Sequence, residues 1–278
     1  MHLHRRQVLD FLALAGAATL TGCATPRPPA LRLQGPGVLL GEVHDNAEGH
    51  ALRLAAFDAW LAEGARPALA MEMFDRGDQA AIHRLRAQAR ADDAPAFVDA
   101  VLAARGGSPP RSGWHWPFYV PFVERALREG LPLVAANVGR VGARALMRDG
   151  LAAHGFDAAV PEDIMAGHAR SIEASHCGHV DTTMARRMAL AQVARDQQMA
   201  RAVEAHIGRG VLLLAGNGHV HTDLGVPRWL TAGTRARCQA IGVLETGDAT
   251  TAYDHIVHVA AQTRPDPCAG MRALPKAG

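Results

Sequence analysis

The chain has 278 residues, of which 49% are hydrophobic, 20% are charged and 5% are aromatic, and its formal net charge is +2. This composition excludes a disordered chain and a disulfide-dense scaffold, and the length allows one large domain or two small ones. Lysine and arginine are scattered along the chain rather than gathered on one face, so the sequence predicts no nucleic-acid partner.

The beginning of the chain predicts export. A basic start precedes an apolar run, Val8–Leu20, which only Asp10 interrupts and which is too short to span a membrane. The tetrad Leu-Thr-Gly-Cys that ends at Cys23 looks like a bacterial lipobox, in which cleavage frees this cysteine for acylation. Arg5-Arg6 resembles a twin-arginine signal, and the alternative is a plain secretory signal with a chance cysteine. We expect export, with lipidation at Cys23.

Three segments follow from this interpretation. Residues 1–22 are the expected lipoprotein signal peptide, residues 23–36 the lipidated N-terminus and tether, and residues 37–278 the α/β domain. Closely spaced prolines disfavour helix or central strand in the tether. The lipid would hold the domain at a membrane, facing the periplasm. Ala24 is not the aspartate of an inner-membrane retention signal, which favours the outer membrane.

Within the domain, strand-like and helix-like patterns alternate. Short apolar runs predict strands at residues 38–43, 66–74, 131–138, 210–218, 237–245 and 254–261. Helical patterns occupy residues 47–64, 78–104, 118–130, 142–148 and 182–207, with a loop at 105–117 and an irregular region at 149–181. This order predicts a single α/β domain with a helical insertion, built on a mostly parallel sheet flanked by helices.

The cysteines leave the disulfide pairing open. If Cys23 is acylated, Cys177, Cys238 and Cys268 remain, and three thiols leave one unpaired. A bond between Cys238 and Cys268 could close the C-terminal segment, but spacing alone does not select it.

Polar side chains occur where the predicted strands end. They are Glu42, His44, Glu72, Asn137, Asn217 and His219. Ligands of parallel sheets bind beyond the carboxyl ends of the strands, and side chains two apart on a strand share a face. We therefore expect these groups to converge on one rim. The alternative for each residue alone is a helix cap, an ion pair or a structural histidine.

Several segments resemble one family. "LLGEVHDNAEGH", "ALAMEMF", "HWPFYVPFVERAL", "LVAANVGR" and "LLLAGNGHVHTDLGVPRWL" occur in the order typical of the ChaN family, haem-binding lipoproteins of bacterial iron uptake. Tiki proteins and erythromycin esterases are more distant relatives. The resemblance runs from about Val38 to Trp229.

The resemblance implies that haem binds at a surface where two protomers meet, with a tyrosine and a histidine as iron ligands. Tyr119 lies inside the family-like stretch, whereas Tyr253 lies beyond it, so Tyr119 is the candidate ligand. The alternative is that its ring packs beside Trp116 with a hydrogen-bonded hydroxyl. His168 is the candidate axial histidine, expected in an exposed loop. The sequence His176-Cys177-Gly178-His179 nearby could bind a metal or haem iron. The alternative is a polar turn before the helix.

The second interpretation is a metal-dependent hydrolase, as in the Tiki-like relatives. It would use His44, Glu72 and His219 as ligands of a divalent metal, with Glu42 or Glu72 as ligand or general base. The pocket rim would comprise Glu42, Asn137, Arg140 and Asn217. A third interpretation, with no positive support, is a lipoprotein that only scaffolds an outer-membrane partner. In the haem interpretation, the expected partners are haem, a second protomer, the membrane through the lipid anchor, and an outer-membrane haem receptor.

Overall fold

A single sheet of six parallel strands forms the centre of the molecule. A computed structural model describes residues 31–105 and 113–269, so the predicted signal peptide and the Cys23 lipidation site lie outside the described residues. The strands are β1 (Gly37–Leu40), β2 (Ala68–Asp75), β3 (Leu133–Asn137), β4 (Val211–Leu214), β5 (Cys238–Glu245) and β6 (His255–Val259). Their order in the sheet is β3-β2-β4-β1-β5-β6. All carboxyl ends therefore lie along one edge, and the predicted α/β class is confirmed.

Helices cover both faces of this sheet. They are α1 (Ala47–Ala62), α2 (Gln79–Arg86), α3 (Ala94–Ala103), α4 (Val120–Arg128), α5 (Arg140–Asp149), α6 (Glu162–Ser175), α7 (Thr182–His206), α8 (Asn217–Val220) and α9 (Ala232–Arg235). Among these described helices, none combines the length and apolar character needed to cross a membrane.

The strands are buried on both sides because successive side chains point to opposite faces. Leu40 and Met71 pack against Phe57 of α1 and Phe122 of α4 on one face. Leu39 and Leu213 pack on the other face against α7, as part of a separate apolar cluster. Near-continuous apolar strands therefore encode a sheet that lies between two helical layers.

Three predicted boundaries need correction. The single helix expected over 78–104 is two helices, α2 and α3, because Pro95 begins a new helix near its first turn. The irregular region expected at 149–181 contains α6, which packs against α7. The residues Leu31 and Leu33, expected in the tether, are buried in the core.

The fourth strand is shorter than its sequence pattern. β4 ends at Leu214, and Asn217–Val220 form the short helix α8. The expectation that Asn217 and His219 share a strand face is therefore wrong, because both lie on a helical turn. Glycines at 216 and 218 end the extended run.

The disulfide joins Cys177 to Cys268, and Cys238 is a buried free thiol. The pairing of Cys238 with Cys268 considered from the sequence is wrong. Cys238 starts β5 beside Gly37, at the amino edge of the sheet. The C-terminal segment instead crosses the carboxyl edge, where Arg264 pairs with Asp45 and Glu245. The disulfide then ties this segment to the turn between α6 and α7.

We expect reduction of this disulfide to lower the free energy of unfolding by about 2–4 kcal/mol, because it closes a loop between cysteines 91 positions apart. Urea denaturation with and without a thiol reductant measures the change. A Cys238→Ala variant should lose the same amount on reduction, since this thiol is not in the bond. Equal stability of the oxidised and reduced chains would contradict the prediction.

Candidate functional site

The polar residues at the carboxyl edge form two clusters. The Glu42 cluster follows β1 and contains Glu42, His44, His50, Arg53 and Tyr119. The His219 cluster contains Glu72 of β2, His168 of α6, Asp196 of α7 and His219 of α8. Backbone hydrogen bonds continue between the extensions of β1 and β4, where Asn217 N donates to Glu42 O at 2.9 Å. The two clusters therefore lie side by side at the centre of the sheet.

Glu42 is the centre of the first cluster. Its Oε1 accepts hydrogen bonds from the Tyr119 hydroxyl at 2.6 Å and from His44 Nδ1 at 2.7 Å. Its Oε2 accepts from the guanidinium of Arg53, which is completely buried. His50 Nδ1 lies 3.9 Å from the same Oε2, and its Nε2 is bonded to the carbonyl of His44 at 3.1 Å. One carboxylate thus organises side chains from three separate segments.

The charges of this cluster are set by burial and by Arg53. Burial alone would raise the pKa of Glu42, but the Arg53 charge and the His44 hydrogen bond lower this pKa to about 2. Burial and the Arg53 charge lower the pKa of His50 to about 4. Burial and the charge of Glu42 hold the pKa of Tyr119 well above its usual value. At neutral pH, Glu42 is ionised, His50 is neutral and Tyr119 is a phenol.

His219 is the centre of the second cluster. Its Nδ1 is bonded to Asp196 Oδ1 at 2.6 Å, and its Nε2 lies 3.5 Å from Glu72 Oε1. The other oxygen of Glu72 accepts from the Gly216 N–H at 2.8 Å. His168 Nε2 and Asp196 Oδ2 are 3.1 Å apart, but they are not aligned for a hydrogen bond. The imidazole of His219 is therefore held between two buried carboxylates.

These carboxylates keep His219 protonated. Burial lowers its pKa, but the charges of Glu72 and Asp196 outweigh burial and raise the pKa to about 10. The same pairing lowers the pKa of Glu72 despite its burial. The His219 cluster therefore contains a positive charge at neutral pH. The ring of His219 is less exposed than the ring of His44.

Gly216 separates the two clusters and allows their close approach. A Cβ at this position would lie 2.9 Å from His44 Cε1, 3.0 Å from His44 Nε2 and 3.7 Å from Glu72 Oε2. Glycine at this position therefore lets the backbone pack closely beside the outer nitrogen of His44. The His44 side chain is 52% exposed.

Aromatic rings pack in and beside the Glu42 cluster. The ring of Trp114 meets the imidazole edge-on, with centroids 4.8 Å apart. Phe118 stacks on His50 at 4.3 Å, and Trp116 lies 5.3 Å from Phe74. A half-exposed imidazole beside the ring of Trp114 suits haem, which needs a nitrogen or oxygen donor for iron and apolar contact for the porphyrin.

The two iron ligands expected from the sequence are both buried. Tyr119 is in the core with its hydroxyl donated to Glu42, which corresponds to the alternative of a packed, hydrogen-bonded ring. His168 lies within α6 and is 7% exposed, so its expected position in an exposed loop is wrong. The apolar stripe of α6, which includes Ile164 and Ile172, turns His168 inward toward Asp196. Iron ligation by either residue stays a prediction.

The expected metal triad needs correction. Within residues 31–105 and 113–269, no group of three or more histidine, cysteine or carboxylate side chains is placed to hold a metal ion. Glu72 and His219 pair with each other, and their remaining atoms are bonded to Gly216 and Asp196. His44 belongs to the neighbouring cluster through Glu42. The donor atoms thus satisfy one another instead of converging on one point.

The expected amide groups of the rim have structural partners. Asn217 Nδ2 donates to Val243 O at 2.7 Å, and its Oδ1 accepts from Val243 N at 3.2 Å. Asn137 is buried, and its Oδ1 accepts from Val138 N. Arg140 is exposed at the start of α5. Of the predicted rim, only Glu42 lies in either cluster.

Three important residues were missed from the sequence. Two of them, His50 and Arg53, lie with Phe57 on the buried face of α1. Asp196 lies on the buried face of α7, in register with Ala189, Val193, Ala200 and Val203. A charged residue at an apolar helical position was the available signal, since such a residue needs a buried partner.

We expect Arg53→Met to destabilise the fold by about 3–5 kcal/mol, because Glu42 would remain buried without its cation. Adding Glu42→Gln to this variant should recover part of the loss. The exposed pair Arg32–Glu63 provides the control, since Arg32→Met should cost less than about 1 kcal/mol. Urea unfolding of the four chains measures these values, and equal costs for Arg53→Met and Arg32→Met would refute the assignment.

We also expect His219 to make stability depend on alkaline pH. The folded pKa is raised from 6.5 to about 10, so the contribution is complete below pH 6.5 and is lost as the pH rises toward 10. Thermal unfolding between pH 6 and 10 should show a steeper decline for the native chain than for His219→Gln. The exposed His83→Gln is the control and should keep the native profile. Parallel profiles of the native chain and His219→Gln would show that His219 is not held protonated.

Comparison with known proteins identifies the family of this chain. The family model described as haem-binding uptake, Tiki superfamily, ChaN matches residues 33–230. The solved structure of Campylobacter jejuni ChaN is similar at a TM-score of 0.63 and 18% identity, with 80% of this chain and 86% of that chain covered. An erythromycin esterase, EreC, is similar at a TM-score of 0.43 and 15% identity, with 77% and 71% covered. No curated protein matches. The match over most of the chain shows that this protein belongs to the ChaN family of the Tiki superfamily.

Proposed function

We propose that this protein is an exported lipoprotein that binds haem and takes part in bacterial iron acquisition. The family match over residues 33–230 carries the haem assignment, since the family is described by haem-binding uptake. The Campylobacter jejuni ChaN structure is described as binding haem cofacially, and its fold extends over 80% of this chain. We propose the same ligand here, enclosed between two protomers.

The carboxyl edge of the sheet supports this ligand chemically. It offers a half-exposed imidazole, His44, beside the ring of Trp114. Haem supplies a ferric iron that accepts such a donor and a porphyrin that gains from apolar contact. The residues of the rim therefore fit the cofactor implied by the family.

Export and anchoring rest on the sequence signal and on the disulfide. The Cys177–Cys268 bond is of a kind that forms and persists in oxidising compartments such as the periplasm. Acylation of Cys23 would hold the domain at a membrane, with the outer membrane as the proposed location. There it could receive haem from an outer-membrane receptor.

A second candidate function is hydrolysis at the strand ends. The observation that favours it is the approach of His44 and Glu72 to one position beside Gly216, where a Cβ would lie 3.0 Å from His44 Nε2 and 3.7 Å from Glu72 Oε2. His44 has a free outer nitrogen, whereas His219 is held as a cation by Glu72 and Asp196. An imidazole and a carboxylate that flank one position can serve as proton donor and acceptor in general acid–base catalysis.

Titration of the chain carrying Cys23→Ser with ferric haem tests the proposal, followed by the Soret band and by quenching of tryptophan fluorescence. We expect saturable binding with a shifted band, because iron gains a protein ligand and the porphyrin lies near Trp114. The same titration into buffer without protein is the control for the absorbance of free haem. Absence of saturable binding, together with ester hydrolysis that His219→Gln abolishes, would favour the second candidate.

A further inference from the structure

We propose that a groove along the edge strand β3 is a second binding site, which takes a small organic anion with an apolar body. This inference goes beyond the proposed haem-binding function and does not depend on it. The groove lies between the amino-terminal half of β3, the helix α2 and the end of α7. Its volume is about 400 Å³, within the range of small-molecule sites. None of its lining residues belongs to the Glu42 cluster or the His219 cluster.

Two arginines that line the groove, Arg76 and Arg201, are held near each other by one aromatic ring. Their guanidinium carbons lie 5.0 Å and 4.7 Å from the centroid of the Phe156 ring, so these carbons are within about 10 Å of each other. Arg201 Nη2 also donates to the Gly155 carbonyl at 2.6 Å, which fixes the position of this side chain. The groove therefore has two positive charges whose positions are set by the protein.

These two charges are not neutralised by the protein. In the part of the chain that the structure describes, neither Arg76 nor Arg201 forms an ion pair, and no aspartate or glutamate lines the groove. The carboxylates nearest to Arg76 along the chain, Asp75 and Asp78, pair with Arg105 instead. The groove therefore has a positive potential that attracts an anion and repels a cation.

The floor of the groove is apolar, and the open edge of its strand is already occupied. Leu133, Val134 and Ala135 of β3 supply carbon surface to the groove. Gln79 donates through Nε2 to Leu133 O at 3.0 Å and accepts through Oε1 from Ala135 N at 2.7 Å. These are backbone groups that an added strand would need, so the groove suits a small molecule rather than an extended peptide.

Ala205 allows the charge of the groove to be tested without replacing either arginine. It is exposed on α7 and lines the groove one helical turn after Arg201. Ala205→Glu would place a carboxylate four residues after this arginine, at the spacing of a helical ion pair. The variant should therefore neutralise the groove internally, whereas Ala205→Gln adds a side chain of the same size without the charge.

The test titrates the Cys23→Ser chain with phenylphosphonate, followed by calorimetry and by the backbone amide signals in nuclear magnetic resonance. We expect saturable binding that shifts the signals of β3 and of the end of α7, and that weakens as salt is added. Arg76→Gln and Arg201→Gln should each weaken binding by about 10–100-fold, as expected for loss of a hydrogen bond from a charged group. Ala205→Glu should weaken binding to a similar extent, and Ala205→Gln should weaken it far less.

Arg187→Gln is the matched control, because Arg187 is exposed on the same helix about 21 Å from Arg201 at the helical rise per residue. This variant should bind phenylphosphonate as the native chain does. Benzyl alcohol has the apolar body without the charge and should not bind saturably, and inorganic phosphate should bind more weakly than phenylphosphonate.

Three results would overturn the proposal. They are the absence of saturable phenylphosphonate binding, equal weakening by Arg187→Gln and Arg201→Gln, and binding of benzyl alcohol or inorganic phosphate as tight as that of phenylphosphonate. Circular dichroism of each variant shows whether its fold is native. If Arg76→Gln or Arg201→Gln unfolds, the comparison of Ala205→Glu with Ala205→Gln decides, because this position is exposed and both arginines remain.

Discussion

The buried ion pair between Glu42 and Arg53 is the constraint on which the candidate site depends. A carboxylate with 3% exposure at the end of an apolar strand needs a cation and hydrogen-bond donors, because burial of an unpaired charge is strongly unfavourable. Arg53 reaches it from α1, and Tyr119 reaches it from the start of α4. The strand, two helices and the loop that carries His44 are thereby fixed relative to one another.

The two clusters use the same residue types to opposite effect. In the Glu42 cluster, the positive charge belongs to an arginine, so the nearby histidine His50 stays neutral. In the His219 cluster there is no arginine, and the histidine itself becomes the cation between Glu72 and Asp196. Only His44 extends from these buried networks toward solvent. The buried charges therefore hold one half-exposed imidazole in a fixed orientation.

The C-terminal segment closes the structure around this rim. Arg264 bonds to Asp45, the residue after His44, and also to Glu245 at the end of β5. Four residues later, Cys268 is bonded to Cys177 in the turn before α7, the helix that carries Asp196. The segment thus connects the loop of the first cluster with the helical pair that supports the second. Apolar packing contributes little in this exposed segment, so ionic and covalent links take its place.

The sequence determined the parallel α/β architecture, because the buried strands are short apolar runs that alternate with helical patterns. It also predicted that Glu42, His44, Glu72 and His219 lie at the carboxyl edge of the sheet, since polar residues that follow parallel strands lie on one edge. Tertiary structure alone decided their partners. Arg53 lies on α1 and Asp196 on α7, and nothing in their positions along the chain predicts that they pair with Glu42 and His219. Cys268 reaches Cys177 because the C-terminal segment crosses the carboxyl edge of the sheet. Local pattern specifies which face a side chain occupies, whereas the ion pair or disulfide it forms depends on which elements pack together.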